Sequence, residues 1–178
     1  MTAHEIEVRE ATKHDVAALS LVGRQAFLTA YEGTANVDAI AQHVERHFSE
    51  DSIARELGID GQAYLIATSD GEAAGFAKLG KGDAPVAMPE KPALEVQQLY
   101  VSPHHQRSGV GAKIMNAVIV IAKQKSFRGI WLSAWENADW ALRFYRKCGF
   151  VEAGTTRFRL GDDVFDDLLM WLPVDQRD

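Results

Sequence analysis

The sequence has little cysteine, no excess of positive charge and no long apolar run. A single cysteine, Cys148, excludes any disulfide within the chain and fits a reducing cytosol better than an oxidising compartment. The 25 acidic residues outnumber the 19 lysines and arginines, so the formal net charge is −6, whereas a general nucleic-acid binder usually carries the opposite sign. We therefore expect no nucleic-acid partner.

The sequence also has no stretch with the pattern of a membrane-spanning helix or of a targeting segment. The longest apolar stretch covers residues 117–122, far short of the ~20 residues that a membrane-spanning helix needs. The first eight residues contain no basic stretch followed by an apolar run, so no signal peptide is expected. With 47% apolar and 25% charged residues, the composition is typical of a soluble globular protein. These features predict a soluble, cytoplasmic chain with no membrane partner.

Hydrophobic periodicity predicts one α/β domain over residues 1–178, with a core of about 5–172 and a mixed sheet. Thr12 is expected to cap the first helix, with Asp15 completing a capping box, and Asn137 is expected to cap the last helix. The second helix is expected to break near residues 48–50. Predicted strands cover residues 5–10, 62–69, 73–79, 94–101, 129–135, 150–160 and 164–172, and predicted helices cover 12–33, 36–57, 107–126 and 137–149.

A glycine-rich turn, Gln106-Arg-Ser-Gly-Val-Gly-Ala112, connects a predicted strand to a long helix. Glycines allow close backbone approach, and the unpaired amides and dipole of a helix start favour an anion such as phosphate. Residues 104–128 contain five basic and no acidic residues, which agrees with such a site. A dinucleotide fingerprint would need glycine at Ile114, and no P-loop sequence is present. The alternative is that the glycines only tighten the strand-to-helix connection.

Two motifs together resemble those of the GNAT superfamily of acyl-CoA-dependent N-acetyltransferases. The first is Gln106-Arg-Ser-Gly-Val-Gly111, directly after the strand that ends in Leu99-Tyr-Val. The second is Trp135-Glu-Asn-Ala138, followed by Ala141-Leu-Arg-Phe-Tyr-Arg-Lys-Cys-Gly-Phe150. The resemblance covers about residues 5–172. It implies a central, mostly antiparallel sheet with flanking helices and an acyl-CoA N-acyltransferase activity.

The resemblance implies acetyl-CoA as the cosubstrate. Backbone groups late in the fourth strand would hold its pantetheine arm, and a bulge there could direct an N–H group at the thioester oxygen. The amides of the glycine-rich turn would hold the pyrophosphate. The residues expected to bind the cosubstrate are Leu99, Tyr100, Val101, Gln106, Arg107, Ser108, Gly109, Val110, Gly111, Ala112, Asn137 and Tyr145.

Two catalytic residues follow from the same resemblance. Tyr145 matches the general acid that protonates the leaving thiolate, although a buried core tyrosine would fit its helix face equally well. Glu95 matches a glutamate that acts as base in some members, whereas others use a water relay. It alternates with Gln97 and Leu99 on one face of the predicted strand; the alternative is a partly solvated carboxylate at a strand edge. A base is needed because deprotonating an alkylammonium at pH 7 costs about 4.6 kcal/mol.

Two other reactive patterns are discounted. His43 and His47 have a spacing that suits zinc on a helix, but Val44 occupies the position where a metalloprotease motif has glutamate. We expect two solvated histidines and no metal ion. Cys148 lies on an apolar helix face, so we expect a core residue and direct transfer, without an acyl-cysteine intermediate.

The acceptor amine is suggested by acidic segments. Residues 32–60 carry seven acidic residues against two arginines, and residues 162–167 add four aspartates. In the family these segments flank the acceptor cleft, where negative charge would attract a cation. Residues 158–170 resemble the PaiA-type polyamine N-acetyltransferases, and Phe27 and Tyr31 could line the aliphatic part of a polyamine. The open alternatives are ordinary surface charge, a protein N-terminus or lysine as acceptor, a non-catalytic acyl-CoA sensor and, by analogy, a homodimer.

Overall fold

Seven strands form one sheet in the computed structural model, which describes residues 5–175. Residues 1–4, on which part of the signal-peptide expectation rests, and residues 176–178 lie outside the described residues. The strands are β1 (Ile6–Glu10), β2 (Ala63–Ser69), β3 (Glu72–Gly80), β4 (Ala93–Val101), β5 (Gly129–Trp135), β6 (Val151–Leu160) and β7 (Asp163–Pro173). The helices are α1 (Val16–Tyr31), α2 (Val37–Phe48), α3 (Glu50–Glu56), α4 (Val110–Gln124) and α5 (Asp139–Lys147).

The spatial order of the strands is β1-β2-β3-β4-β5-β7-β6, and every neighbouring pair is antiparallel except β4 and β5. The predicted order of elements and the mostly antiparallel mixed sheet are therefore confirmed. The parallel ladder between β4 and β5 runs only from Ala93 opposite Gly129 to Glu95 opposite Trp131. Both strands continue beyond that point, so a split opens in the middle of the sheet towards their carboxyl ends.

Helices cover both faces of the sheet, and alternation along the strands assigns each side chain to one of them. Leu65 and Ala67 pack with α4 and α5, on what we call the α4 face. Tyr64 and Ile66 pack with α1, α2 and α3, on the α1 face. Side chains of successive strand residues point to opposite faces, so this alternation is the expected result of a sheet buried on both sides.

The predicted capping box is present, but it caps a short 3-10 helix (Lys13–Asp15) that leads directly into α1, whose own cap position, Asp15, makes no side-chain cap hydrogen bond. The box includes an ion pair. Thr12 donates its backbone N–H to the Asp15 carboxylate at 2.8 Å, and the Arg9 guanidinium donates to both Asp15 oxygens at 2.8 and 2.7 Å. The Arg9 contact, opposed by burial, holds the pKa of Asp15 well below its usual range. This cluster ties β1 to the first helix.

Two predicted helix starts differ from the structure. The helix after the glycine-rich turn begins at Val110 and not at residue 107, because Arg107 and Gly109 adopt left-handed backbone angles that interrupt a helix. Asn137 does not cap α5: the cap position is Ala138, which makes no side-chain cap hydrogen bond. The backbone turns one residue later than predicted, with the Ala138 N–H donating to the Trp135 carbonyl at 3.0 Å.

A bulge in β4 corrects the predicted face of Leu99. Val96 pairs with Leu79 on β3 and Gln98 pairs with the adjacent Lys78, so Gln97 is an extra residue without a partner on β3. This residue reverses the alternation, so Val96 and Leu99 both pack on the α4 face. The prediction that Glu95, Gln97 and Leu99 share one face is therefore wrong for Leu99. The bulge expected at residues 99–101 lies at Gln97 instead.

Candidate active site

The glycine-rich turn presents four consecutive backbone amides that the helix itself does not use. The first α4 hydrogen bond runs from the Lys113 N–H to the Gly109 carbonyl at 3.0 Å, so the N–H groups of residues 109–112 have no partner within the helix. Arg107 and Gly109 have φ values of +64° and +93°, which turn successive amides towards one side. Such an arrangement can bind a phosphate group.

The two glycines of the turn meet different requirements. Gly109 supplies a left-handed cap conformation that other residues adopt only with strain. At Gly111 a Cβ atom would lie 3.3 Å from the Phe144 ring and 3.7 Å from the Val101 side chain. Gly111 therefore allows the start of α4 to approach α5 and the end of β4.

The end of β4 exposes backbone groups to the split. The Ser102 N–H donates to the Ala74 carbonyl on β3 at 2.9 Å, and backbone groups of alternate residues point to opposite sides of a strand. The N–H and C=O groups of Leu99 and Val101 consequently point away from β3 and into the split. The backbone of Tyr100 points towards Phe76 on β3, and its side chain packs on the α1 face.

Tyr145 lies on α5 and faces the sheet. Its side chain is 9% exposed and packs edge-on against the rings of Phe144 and Phe150, with centroid distances of 5.3 and 5.8 Å. Burial raises the pKa of the phenol, with a smaller contribution from Cys148. The phenol therefore keeps its proton at neutral pH, as a general acid requires. Burial also raises the pKa of the Cys148 thiol, which makes this side chain a poor nucleophile.

The remaining predicted residues occupy different positions around the split. Asn137 is exposed in the turn after β5, at the same edge of the sheet as Val101 and the glycine-rich turn. Glu95 is half-buried where the β4–β5 ladder ends, and its Oε2 accepts a 3.0 Å hydrogen bond from the Gln97 side chain. Gln106, Arg107 and Ser108 are exposed, and the Ser108 hydroxyl donates to the His105 carbonyl at 2.6 Å.

An aromatic cluster of four partly exposed residues borders the split: Tyr31, Trp135, Phe158 and Phe165. Tyr31, Phe158 and Phe165 pack on the α1 face, whereas Trp135, at the end of β5, also packs against the core of the α4 face. The Tyr31 ring lies 6.1 Å from Trp135 and 5.7 Å from Phe165, and the last two rings lie 5.5 Å apart. Phe27 is 1% exposed and stacks on Tyr31 at 4.5 Å. Tyr31 can therefore contact a ligand, whereas Phe27 supports it from behind.

Asp167 is the residue of this site that the sequence analysis did not single out. It lies directly opposite Trp135 on the neighbouring strand and is 7% exposed. Burial raises the pKa of its carboxyl to about 6; a hydrogen bond with Ser133 opposes this shift and Asp166 adds to it. Its Oδ1 has no hydrogen-bond partner among residues 5–175. The available signal was strand alternation, which puts Asp167 on the same face as Phe165 and Leu169.

The histidine pair on α2 is not solvated as predicted. His43 is half-buried, stacks on Phe27 at 4.4 Å and lies 4.3 Å from the His47 ring. Burial, together with the neighbouring His47 and Arg46, lowers the pKa of His43 to about 4.

Within residues 5–175 no three His, Cys, Asp or Glu side chains are grouped as metal ligands. In the same range, no helix is long and apolar enough to cross a bilayer.

Comparison with known proteins identifies the family. A model of the acetyltransferase (GNAT) family matches residues 28–150. An uncharacterised N-acetyltransferase of Mycobacterium tuberculosis is 30% identical over 156 residues, which cover 88% of this chain and 96% of that protein.

Two solved structures have the same fold. The PaiA N-acetyltransferase of Thermoplasma acidophilum, in complex with coenzyme A, superposes with a TM-score of 0.78 at 21% identity, covering 95% of this chain and 99% of that one. The ribosomal-protein-S18-alanine N-acetyltransferase of Escherichia coli superposes with a TM-score of 0.71 at 19% identity, covering 98% and 97%. The match of the family model to most of the chain confirms the resemblance seen in the sequence, and the chain belongs to the GNAT family of acetyltransferases.

Proposed function

We propose that this enzyme transfers the acetyl group of acetyl-CoA directly to a small cationic amine, with a polyamine or similar diamine as the acceptor. The observation that carries the proposal is the split between β4 and β5, which ends at the unpaired amides of the glycine-rich turn. Tyr145 faces the sheet from one side of this region, and an acidic, aromatic surface borders it on the other.

The residues around the split suit coenzyme A. The amides of residues 109–112 offer hydrogen-bond donors for the pyrophosphate, and the inward-pointing backbone groups of Leu99 and Val101 match the amides of a pantetheine arm. Asn137 lies at the same edge and could add a side-chain contact. Acetyl-CoA supplies an activated acyl carbon and a thiolate leaving group whose conjugate acid has a pKa of about 8.5.

Tyr145 supplies the proton that the leaving group needs. When the neutral amine attacks the thioester carbonyl carbon, a C–N bond forms and the C–S bond breaks. The buried phenol donates its proton to the departing sulfur and regains one from the acylated nitrogen. Holding both reactants in the split provides the orientation on which much of the rate depends.

A carboxylate near the split is needed to take the first proton from the ammonium group. Glu95 is the candidate that the family resemblance suggests. It lies where the β4–β5 ladder ends and already accepts a hydrogen bond from Gln97.

Charge and aromatic residues support a small cationic acceptor. Residues 32–60 have a local charge of −5, and the β6–β7 hairpin adds further aspartates. The partly exposed ring of Tyr31 offers an apolar surface for a methylene chain. The likeness in fold to a PaiA N-acetyltransferase adds to the resemblance that residues 158–170 show to the PaiA type. A second candidate acceptor is a protein N-terminus. The likeness in fold to the ribosomal-protein-S18-alanine N-acetyltransferase supports this candidate.

The test is release of free thiol from acetyl-CoA in the presence of spermidine, spermine, 1,4-diaminobutane or a peptide that begins with alanine. The same peptide with an acetylated N-terminus is the matched control. We expect turnover with the polyamines and none with the blocked peptide. Turnover of the free peptide but not of spermidine would assign a protein substrate. Acetyl-CoA binding without thiol release for any acceptor would indicate a sensor and overturn the proposal.

A further inference from the structure

We propose that Asp167 is the acceptor-binding base of this enzyme: its carboxylate binds the substrate ammonium group and takes its proton, while Tyr31, Trp135 and Phe165 receive an unbranched apolar stem next to the nitrogen. The inference rests on the proposed function, and it assigns to Asp167 the role that the sequence suggested for Glu95.

Asp167 is a buried carboxylate, and one of its two oxygens has no partner among residues 5–175. Carboxylates as buried as this one are normally paired or fully hydrogen-bonded, because an unsatisfied buried acceptor destabilises the folded state. Asp167 is 7% exposed, and its Oδ1 has no hydrogen-bond partner among residues 5–175. No ion pair between residues of that range includes it, whereas Asp166 has Arg157 at 3.7 Å. The free oxygen can accept a hydrogen bond from a ligand.

The aromatic rings around Asp167 suit an ammonium group with an apolar stem. The Tyr31 and Trp135 rings lie nearly parallel, with 20° between their planes, and Phe165 meets both edge-on at 80° and 87°. The faces of aromatic rings attract ammonium groups, and their apolar surfaces favour methylene groups. A carboxylate beside such rings selects a cation over an anion. A metal ion is a poor alternative, because no three suitable ligands come together within residues 5–175.

Asp167 also lies in a suitable position relative to the split. Asp167 lies opposite Trp135, near the carboxyl end of β5. Burial raises the pKa values of Tyr31 on α1 and Tyr100 on β4, and the nearby charge of Asp167 contributes to both shifts. Tyr145 packs on the α4 face, whereas Asp167 shares the α1 face with Phe165. A base on one face and an acid on the other suit an amine that enters from the α1 face while the sulfur leaves beside α5.

The proton balance is closed without any further reactant. The Asp167 carboxylate takes one proton from the ammonium group and becomes a neutral carboxylic acid, which leaves the nitrogen lone pair free to attack. The second proton of the nitrogen passes through Tyr145 to the sulfur, so amide and free thiol form. Asp167 then releases its proton to water. A carboxyl group with its pKa raised to about 6 is a stronger base than an ordinary aspartate but remains ionised at pH 7.

The test compares Asp167→Asn with Asp166→Asn, which makes the same chemical change on the adjacent, exposed residue. Glu95→Gln belongs in the same series. For Asp167→Asn we expect a loss of at least about 100-fold in kcat/KM for spermidine. The KM for acetyl-CoA should stay within about threefold. Asp166→Asn should stay within about threefold in both parameters, and Glu95→Gln should keep the acid limb of the pH profile described below.

A pH profile separates a base from a merely structural residue. In the wild type, log(kcat/KM) for the amine should rise through an acid limb near pH 6, which Asp167→Asn removes. Ser133→Ala removes the hydrogen bond that lowers this pKa, so the limb should move to higher pH. Calorimetric titration in the presence of CoA gives a second readout. The wild type should bind n-hexylamine but not the neutral n-hexanol, and Asp167→Asn should no longer bind n-hexylamine.

Each outcome decides the question. Wild-type turnover combined with normal kinetics of Asp167→Asn, or equal losses in Asp167→Asn and Asp166→Asn, would overturn the role of Asp167 and leave the proposed function intact. If the acid limb of the pH profile disappears in Glu95→Gln and remains in Asp167→Asn, the base is Glu95. A wild type that turns over no amine would overturn both proposals.

Discussion

At the scale of single residues, burial acts in the same direction on two groups that the proposed chemistry uses differently. Removing a group from water disfavours its charged form. Burial therefore raises the pKa of the Tyr145 phenol, which stays protonated, and raises the pKa of the Asp167 carboxyl to about 6, which makes it a better proton acceptor. One physical effect thus prepares an acid on one face of the sheet and a base on the other.

Replacing Tyr145 with phenylalanine tests the acid. The ring remains and its packing against Phe144 and Phe150 is retained, so the fold should be unaffected. Without the hydroxyl, kcat should fall by about 100-fold or more, whereas the KM values should change little, since proton donation occurs only as the thiolate leaves. Steady-state kinetics with both substrates varied would measure this. An unchanged kcat would show that Tyr145 only fills the core.

At the scale of elements, the connection between β4 and α4 combines two backbone requirements within three positions. Gly109 needs a left-handed conformation, and Gly111 needs close approach to α5. The left-handed conformation of Gly109 is a local requirement, whereas the approach of Gly111 to Phe144 depends on the assembled fold. The glycine spacing could be recognised in the sequence, but the packing reason for Gly111 could not. The alternative that the glycines only tighten the connection is part of the answer, because Gly111 does bring three elements together.

Replacing Gly109 with alanine tests whether the amides of this connection hold the cosubstrate. Alanine at φ +93° is strained by about 1–2 kcal/mol, and relief of that strain would reorient the free N–H groups. We expect the KM for acetyl-CoA to rise at least about fivefold, with kcat less affected.

The matched control for that variant is Gly33→Ala. Gly33 also has a left-handed φ, of +73°, and no atom lies within 4 Å of its missing Cβ. It should therefore lose similar stability in urea unfolding and keep the wild-type KM for acetyl-CoA. Equal KM changes in the two variants would mean that general destabilisation, and not the position of the amides, is responsible.

Other features could not be predicted from local patterns. The bulge at Gln97 inserts one residue without any glycine or proline to mark it, and it moves Leu99 to the other face. The burial of Asp167 depends on β7 lying between β5 and β6, a strand order that no local pattern contains. In the sequence Asp167 is one of four aspartates in the last hairpin, and only the assembled sheet distinguishes it from the exposed Asp166.

At the scale of the whole molecule, the buried carboxylate should make stability depend on pH in an unusual direction. The carboxyl of Asp167 has a pKa near 3.8 in the unfolded chain and about 6 in the folded one. Between these values the folded protein keeps a proton that the unfolded chain has lost, so its contribution to stability falls as the pH rises from about 4 to 6. At pH 7 the cost approaches about 3 kcal/mol.

The Asp167→Asn variant should therefore be more stable than the wild type at pH 7, by up to about 3 kcal/mol, and the gain should disappear below about pH 4. Urea unfolding at pH 4, 5, 6 and 7 would measure it, with Asp166→Asn as the variant that shows no such trend. A destabilisation of the same size at every pH would mean that Asp167 supports the native structure through an interaction that asparagine cannot replace.

The short β4–β5 ladder has one more consequence. Only three residue pairs join the two halves of the sheet along this seam, and beyond them Leu99 and Val101 face no neighbouring strand. If the pantetheine arm lies there, the cosubstrate acts as a surrogate strand that closes the seam. Deuterium exchange at these two amides should then be fast in the free enzyme and slow with coenzyme A bound, so that the substrate completes the architecture that binds it.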